Sequence, residues 1–416
     1  MNSIIDYVKQ AKMDDEKEFC AYLYDLHALR RHVEYRVNSL PEKCQMFYAI
    51  KANSEIPILK ALCSIVNGFE VASIGEVRKI RSISSTIPIL FGGPGKTNEE
   101  ITEAIDQRVS LLHVESLHEM RRASYIAKQK GVDISILIRV NVHATLPNAT
   151  LAMGGKATQF GIDEKNISEA IKLADSLEGI KLEGFHIHSL SNNLDALQHA
   201  QLIISYFEKV YGWVEKFNLD ISYLNAGGGI GINYEDLDRQ FDWKLFMKQL
   251  KTIMQNQQLQ DINLIFECGR YLAAGCGYYA AEVLDIKNNH GKNYVVIKGG
   301  THHFRLPVSW NHSHPFTVIP IDNWNYPFTR TEIRNSEITV VGQLCTPKDV
   351  LATDCLVSNI RIGDIILFHY TGAYGWAISH HDFLSHAHPE HLFFDESDKN
   401  IEHEAGNRDL VQTNYN

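Results

Sequence analysis

The amino-acid sequence predicts an α/β fold, in which a (β/α)8 TIM-like barrel is followed by a domain that is mostly β. Eight short apolar runs recur between residues 45 and 270, and helix-like stretches separate most of them. Strands that alternate with helices form parallel sheets, and eight such repeats close a barrel. After Arg270 the helical spacing ends, and strand-like segments follow one another across turns. A chain of 416 residues is long enough for both domains.

Each predicted barrel strand is identified by the residue near which its apolar run ends. These residues are Ile50, Ala72, Phe91, Val114, Val140, His188, Leu224 and Phe266. Between them, residues 99–107, 117–130 and 166–176 mix apolar and charged side chains at helical spacing. The longer gap after Val140 contains residues 146–148 and 153–156, which indicate an inserted loop. We place the barrel at residues 27–275.

The second domain is predicted from residues 1–26 and 276–416. Its strands include residues 294–297, 337–341 and 364–368, and the apolar run at residues 19–24 adds a further strand.

Composition argues against several classes of partner. Forty basic and fifty acidic residues give a net charge of −10, and no basic block suggests nucleic-acid binding. The apolar runs are far shorter than the ~20 residues of a membrane helix, and residues 1–15 lack the pattern of a signal peptide. The seven cysteines form no CxxC pair. Reduced thiols and a cytoplasmic location are therefore expected.

Side chains with catalytic chemistry fall at the predicted carboxyl ends of the strands, where barrel enzymes carry their active sites. They are Lys51, His188, the glycines at 227–229, Glu267 and Arg270. A lone lysine in this position is more often only solvated, and three glycines are more often a tight turn. Together, however, they supply an amine for a Schiff base, an aromatic ring, a phosphate cradle and an acid for a pyridine nitrogen. This combination predicts a pyridoxal phosphate site.

The same segments resemble, in the same order along the chain, the fold-type III pyridoxal phosphate decarboxylases. This family includes the ornithine, arginine and diaminopimelate decarboxylases, and its barrel is of the alanine racemase type. The resemblance covers about residues 20–392. It implies that Lys51, His188, Glu267 and Cys345 are catalytic. It further implies that the cofactor is bound by Lys51, Glu70, Arg139, His188, Ser191, Gly228, Gly229, Glu267, Gly269, Arg270 and Tyr374.

Glu267 favours decarboxylation over racemisation. A carboxylate beside the pyridine nitrogen raises the pKa of that nitrogen, and the protonated ring is the stronger electron sink. Racemases on this barrel tend to place a cation there. By the resemblance, Cys345 reaches the active site of the partner subunit of a homodimer, where a thiol would return a proton to the substrate carbon.

The substrate is predicted from departures from the family pattern. Thr346 follows Cys345 where diamino-acid enzymes carry an acidic residue, so recognition of a distal ammonium is not expected. Cationic and hydrogen-bonding residues suit extra carboxylates instead. The predicted substrate-binding residues are Lys156, His303, Arg305, Thr346 and Lys348.

Four further stretches, at residues 92–97, 148–151, 304–310 and 379–386, are similar to the siderophore-pathway decarboxylases of the staphyloferrin B type. That similarity implies citryl-L-2,3-diaminopropionate as substrate and citryl-ethylenediamine as product. The alternatives are a diaminopimelate or other diamino-acid decarboxylase, a pyridoxal phosphate racemase, and a non-catalytic cofactor carrier. No metal site is predicted, because the histidines at 380–388 lack a third ligand at fixed spacing.

Overall fold

The computed structural model describes residues 2–15, 17–143, 151–152, 157–255, 261–395 and 402–404. The chain divides into two compact units. One comprises Leu29–Leu272, and the other comprises Met1–Ala28 together with Ala273–Asn416.

The first unit is a closed parallel barrel, as the sequence predicted. Its eight strands, numbered here from first to eighth, are Cys44–Ala49, Gly68–Val71, Ile89–Phe91, Leu111–Val114, Ile134–Asn141, Ile180–His186, Tyr223–Asn225 and Asn263–Cys268. Consecutive strands pair in parallel, and pairing of the eighth with the first closes the ring. The carboxyl ends of all eight strands therefore meet at one rim.

A helix follows every barrel strand. The helices are Ile56–Leu62, Ile74–Ile83, Asn98–Asp106, Leu117–Lys130, Ile167–Ser176, Ala196–Phe217, Trp243–Met254 and the four-residue Arg270–Ala273, and Leu26–Asn38 precedes the first strand. Their starts follow local capping chemistry. Thr97 and Glu100 form a capping box, in which each side chain accepts a hydrogen bond from the other residue's backbone N–H. Ser116 caps the next helix, which ends at left-handed Gly131.

The barrel is held together by apolar side chains of its strands. One cluster joins Phe47, Leu90, Leu111, Leu137 and Ile265, which come from five strands and are at most 5% exposed. Burying each such side chain contributes about 1.5–3 kcal/mol, so this cluster stabilises the barrel that carries the strand ends.

The second unit is built on a nine-stranded mixed sheet. Its strands are Cys20–Asp25, Gly277–Asn289, Lys292–Ile297, Phe316–Ile319, Glu332–Val341, Val350–Arg361, Ile365–Phe368, Glu390–Phe394 and Glu402–Glu404. As predicted, the N-terminal apolar run enters this sheet, antiparallel to Gly277–Asn289 and parallel to Glu390–Phe394. The short helix Leu306–Trp310 also lies in this unit.

The N-terminal helix Asn2–Asp14 was not predicted. Ile4 and Val8, one helical turn apart, bury against Leu23 and Leu367 of the sheet. A helix of 13 residues is marginal in isolation, so this one depends on its packing against the sheet. No helix among the described residues is long and apolar enough to cross a membrane. The inserted loop predicted at 146–148 and 153–156 lies outside the described residues.

Candidate active site

Lys51 lies in the 3-10 turn Ile50–Ala52 that follows the first barrel strand. Its Nζ donates to both carboxylate oxygens of Glu70 at 3.1 and 2.9 Å. The lysine side chain is 44% exposed and that of Glu70 only 6%. Burial raises the pKa of Glu70, and the Lys51 charge opposes this rise. The pair thus holds one amine at the barrel rim, on a side chain that is partly exposed.

His188 is oriented by the glycine loop after the seventh strand. The Gly228 N–H donates to His188 Nδ1 at 3.1 Å, so the ring carries its proton on Nε2. A Cβ on Gly227 would lie 2.4 Å from this ring, and one on Gly228 2.2 Å from the Glu267 carbonyl oxygen. Burial and the nearby Lys51 charge lower the pKa of His188 well below its usual value. The loop therefore packs against a neutral imidazole, and only glycine, which has no side chain, can come this close.

Glu267 lies near the end of the eighth strand and is buried, with 6% exposure. Asn225, the last residue of the seventh strand, donates from Nδ2 to Glu267 Oε1 at 2.6 Å. Two histidines complete its surroundings. His113 Nδ1 lies 3.7 Å from Oε1, and His186 Nε2 lies 3.4 Å from Oε2.

Other buried charges of the barrel are paired as acid and base. Arg139 Nη1 contacts Glu115 at 2.8 Å, and that carboxylate also accepts the Gly93 and Gly161 N–H groups. Lys96 Nζ contacts Glu119 at 2.6 Å, and its side chain is 1% exposed. The glycine-rich stretch at residues 92–95, which precedes this lysine, therefore has a structural role rather than a phosphate-binding one. Among the described barrel residues, Glu267 is a buried carboxylate whose partners include no lysine or arginine.

The predicted phosphate-binding residues Ser191, Gly228, Gly229 and Arg270 also lie in the barrel unit, whereas Tyr374 lies in the β-rich unit. Arg270 is 7% exposed and donates from Nη1 to the Tyr234 hydroxyl at 3.0 Å. Gly229 has a φ of 95°, and Ser191 is half-buried in the short strand Leu190–Ser191. Gly269 packs so closely on the first strand that a Cβ would lie 2.9 Å from the Ala49 carbonyl oxygen.

This donor set fits pyridoxal phosphate. An amine on a partly exposed side chain suits the aldehyde, and a neutral imidazole suits the ring. A glycine loop suits the phosphate, and a carboxylate with no lysine or arginine partner among the described residues suits the pyridine nitrogen. Buried ring nitrogens of His113 and His186 lack hydrogen-bond partners, which marks the surroundings of Glu267 as polar and incompletely satisfied.

Several residues of this site were missed by the sequence argument: His113, Glu115, His186 and Asn225. His113, His186 and Asn225 stand at or next to strand ends, so the rule that selected Lys51 also applies to them. His113, His186 and Glu267 have ligand atoms within 4.8 Å of one another and are residue types that bind metals. The absence of a metal stays a prediction.

The remaining predicted site residues belong to the β-rich unit. Cys345, Lys348 and Arg305 are exposed, whereas Thr346 and Tyr374 are half-buried. Asp349 holds the cysteine loop, because its carboxylate accepts from the N–H of Leu344 at 2.8 Å and of Thr301 at 2.6 Å. Lys156 lies outside the described residues.

His303 differs from the sequence expectation of a cationic residue. It is 1% exposed, and its Nδ1 lies 3.2 Å from the Tyr279 hydroxyl. Burial lowers the pKa of His303 to about 2, so it carries no positive charge at neutral pH.

Comparison with known proteins places this chain in a family. Residues 26–274 match the profile of the "Pyridoxal-dependent decarboxylase, pyridoxal binding domain". The chain is 48% identical over 374 residues to the 2-[(L-alanin-3-ylcarbamoyl)methyl]-2-hydroxybutanedioate decarboxylase of Staphylococcus aureus, covering 90% of this chain and 94% of that protein. It is 27% identical to the diaminopimelate decarboxylase of Aquifex aeolicus, covering 86% and 83% respectively.

The fold agrees with these matches. The crystal structure of diaminopimelate decarboxylase from Helicobacter pylori with L-lysine superposes with a TM-score of 0.81 at 25% identity, covering 95% of each chain. The chain therefore belongs to the pyridoxal-dependent decarboxylases of fold type III, and it is a carboxy-lyase that uses pyridoxal phosphate.

Proposed function

We propose that this enzyme removes the α-carboxylate of citryl-L-2,3-diaminopropionate, the substrate in the name of the S. aureus relative, to leave citryl-ethylenediamine for siderophore biosynthesis. Identity of 48% over nearly the whole chain supports this assignment over a diamino-acid substrate, because the diaminopimelate decarboxylases of A. aeolicus and H. pylori match at only 27% and 29%. Thr346, in place of an acidic residue, is consistent with it.

The single observation that carries decarboxylation is the environment of Glu267. Its buried carboxylate has no lysine or arginine partner among the described residues, so its charge is available to a protonated pyridine nitrogen. A racemase of this fold would need a cation there. When bound, pyridoxal phosphate supplies the electron sink that stabilises the carbanion left by CO2. Glu267 would hold the proton on the ring nitrogen.

The other barrel residues bind and orient. Lys51 would attach the cofactor through Nζ, and Glu70, next to it, can accept or return a proton there. His188 would stack on the ring, held by the Gly228 N–H. Gly228, Gly229, Ser191 and Arg270 would bind the phosphate, and Gly269 would lie next to the cofactor. Tyr374 is proposed as a further phosphate-binding residue. We place this cofactor-binding domain at residues 27–275.

We propose a homodimer that shares its active sites. Cys345 is exposed in the single chain, on a loop fixed by Asp349, and a thiol there would protonate the α-carbon after CO2 leaves the partner's site. Arg305, Lys348, Lys156 and Thr346 would contact the citryl carboxylates, and His303 can contribute hydrogen bonds only. Seven unpaired cysteines favour a cytoplasmic location.

Competition between substrates tests the proposal. Citryl-diaminopropionate, ornithine, lysine and meso-diaminopimelate are offered together, and kcat/KM for CO2 release is compared. We expect the citryl substrate to win by at least ~100-fold, since a distal ammonium would leave the cationic groups unpaired. Comparable turnover of any diamino acid would refute the substrate assignment but not decarboxylation. Retention of the carboxylate with inverted configuration would instead indicate a racemase.

A further inference from the structure

The carboxylate of Glu267 is solvated by neutral groups. Burial lowers the pKa of His113 and of His186 well below the usual value, and the charges of Arg139 and Lys96 lower both further. Two positive side chains nearby form ion pairs with other carboxylates, because Arg139 pairs with Glu115 and Lys96 pairs with Glu119. At neutral pH, the histidines beside Glu267 therefore present uncharged ring nitrogens to its carboxylate.

Hydrogen bonding fixes the tautomer of His113. The Asn225 amide nitrogen lies 2.6 Å from Glu267 Oε1 and 3.4 Å from His113 Nε2. An amide NH2 only donates, so His113 Nε2 accepts. The ring proton is then on Nδ1, which faces the same Glu267 oxygen at 3.7 Å. The tautomer thus places an N–H group on the side of the ring that faces the carboxylate, at a distance longer than a hydrogen bond.

His186 approaches the second oxygen. Its Nε2 lies 3.4 Å from Glu267 Oε2, and neither of its ring nitrogens makes a hydrogen bond with the described residues. The ring packs on that of His113, with centroids 4.3 Å apart. Both oxygens of Glu267 are thus flanked by an imidazole nitrogen, from the fourth and the sixth strand.

We propose that His113 and His186 are positioning residues, which hold the Glu267 carboxylate toward the cofactor's pyridine nitrogen while leaving its negative charge uncompensated. A lysine or arginine in either place would pair with Glu267 and weaken its effect on the ring nitrogen. Apolar side chains would leave the carboxylate poorly solvated and free to turn away. This inference rests on the proposed role of Glu267.

The test measures the protonation of the ring nitrogen directly. Holoenzyme is prepared with pyridoxal phosphate labelled with 15N in its ring, and the 15N chemical shift is read by solid-state NMR. His113→Leu and His186→Leu remove the polar ring nitrogens, whereas His113→Asn and His186→Gln place an amide near the positions of Nδ1 and Nε2 respectively. His199→Leu is the matched control, because His199 is also buried in the barrel with an unpartnered nitrogen.

We expect the leucine variants to move the 15N shift toward the unprotonated value and to lower kcat on the order of 10-fold, with KM little changed, as loss of a supporting partner typically does. The amide variants and the control should retain the wild-type shift. If a leucine variant does not fold, His113→Met or His186→Met replaces it.

Three outcomes would overturn the inference. The first is a wild-type 15N shift in folded leucine variants while Glu267→Gln moves it. The second is an amide variant that behaves like its leucine counterpart. The third is a stoichiometric divalent ion in the loaded wild-type enzyme, which would assign the histidines to a metal. If Glu267→Gln itself leaves the shift unchanged, the proposed role of Glu267 fails and the inference fails with it.

Discussion

The two units of this enzyme present their candidate residues in opposite ways. In the barrel, Glu70, His188 and Glu267 are fixed by contacts with neighbouring strands and loops. In the β-rich unit, Cys345, Arg305 and Lys348 are exposed in the single chain. The barrel residues are therefore preorganised within one chain, as cofactor chemistry requires. The exposed residues need a substrate or a second subunit to give them a role, which is the basis of the proposed shared site.

Removing the barrel amine should have the largest effect. Lys51→Ala is expected to abolish the borohydride-reducible attachment of the cofactor and to lower kcat by on the order of 10³-fold or more. Lys96, another lysine of the barrel loops, is enclosed and paired with Glu119, so it is not placed to replace Lys51. Peptide mass mapping after reduction checks this expectation. Lys60→Ala, an exposed lysine on the following helix, is the control. A reduced adduct that survives in Lys51→Ala would disprove the assignment.

Neutralising the buried acid should cost somewhat less. Glu267→Gln is expected to keep the cofactor bound but to slow CO2 release in single turnover on the order of 10²-fold, because a charge opposite the ring nitrogen is lost. Glu183→Gln provides a matched control, since Glu183 is also a buried barrel carboxylate but pairs with Lys181. Equal rates for Glu267→Gln and wild type would remove the main support for the electron-sink argument.

Mixing two variants tests whether Cys345, in the β-rich unit, completes the active site of the other subunit. Lys51→Ala and Cys345→Ala homodimers should each be inactive in product formation. With random reassembly, half of the dimers are mixed and each has one intact site, so about a quarter of wild-type activity should return. Mixed dimers are verified by native mass spectrometry. Their formation without any recovery would argue for a site completed within one chain.

The smallest expected effect is on stability, at a buried histidine outside the site. Burial lowers the pKa of His199 to about 4, from an ordinary value of 6.5. The unfolded chain therefore binds the proton first, and stability present above about pH 6.5 is lost as pH falls toward 4. Between pH 7.5 and 5.0 the loss is about 2 kcal/mol. The free energy of unfolding, measured in urea at several pH values, should depend less on pH in His199→Gln than in the wild type. An equal pH dependence in the two proteins would contradict this prediction.

The barrel was predictable from local patterns. Alternating apolar runs and helical stretches specify strand number and order, and the strand-end rule selected Lys51, His188 and Glu267 without any contact information. The strand at Cys20–Asp25 was also recognised from its apolar run. The helix at Asn2–Asp14 was not, because packing on the sheet, rather than its own sequence, stabilises it.

Residue types and their places along strands were thus determined by the sequence alone, and with them the cofactor and the class of reaction. Only the tertiary structure decided which charges cancel. It pairs Lys96 with Glu119 and Arg139 with Glu115, buries His303 in a neutral state, and surrounds Glu267 with His113, His186 and Asn225. The physical reason is that pairing and desolvation depend on distances of a few ångströms between residues far apart in the chain, and these distances exist only after the barrel has closed.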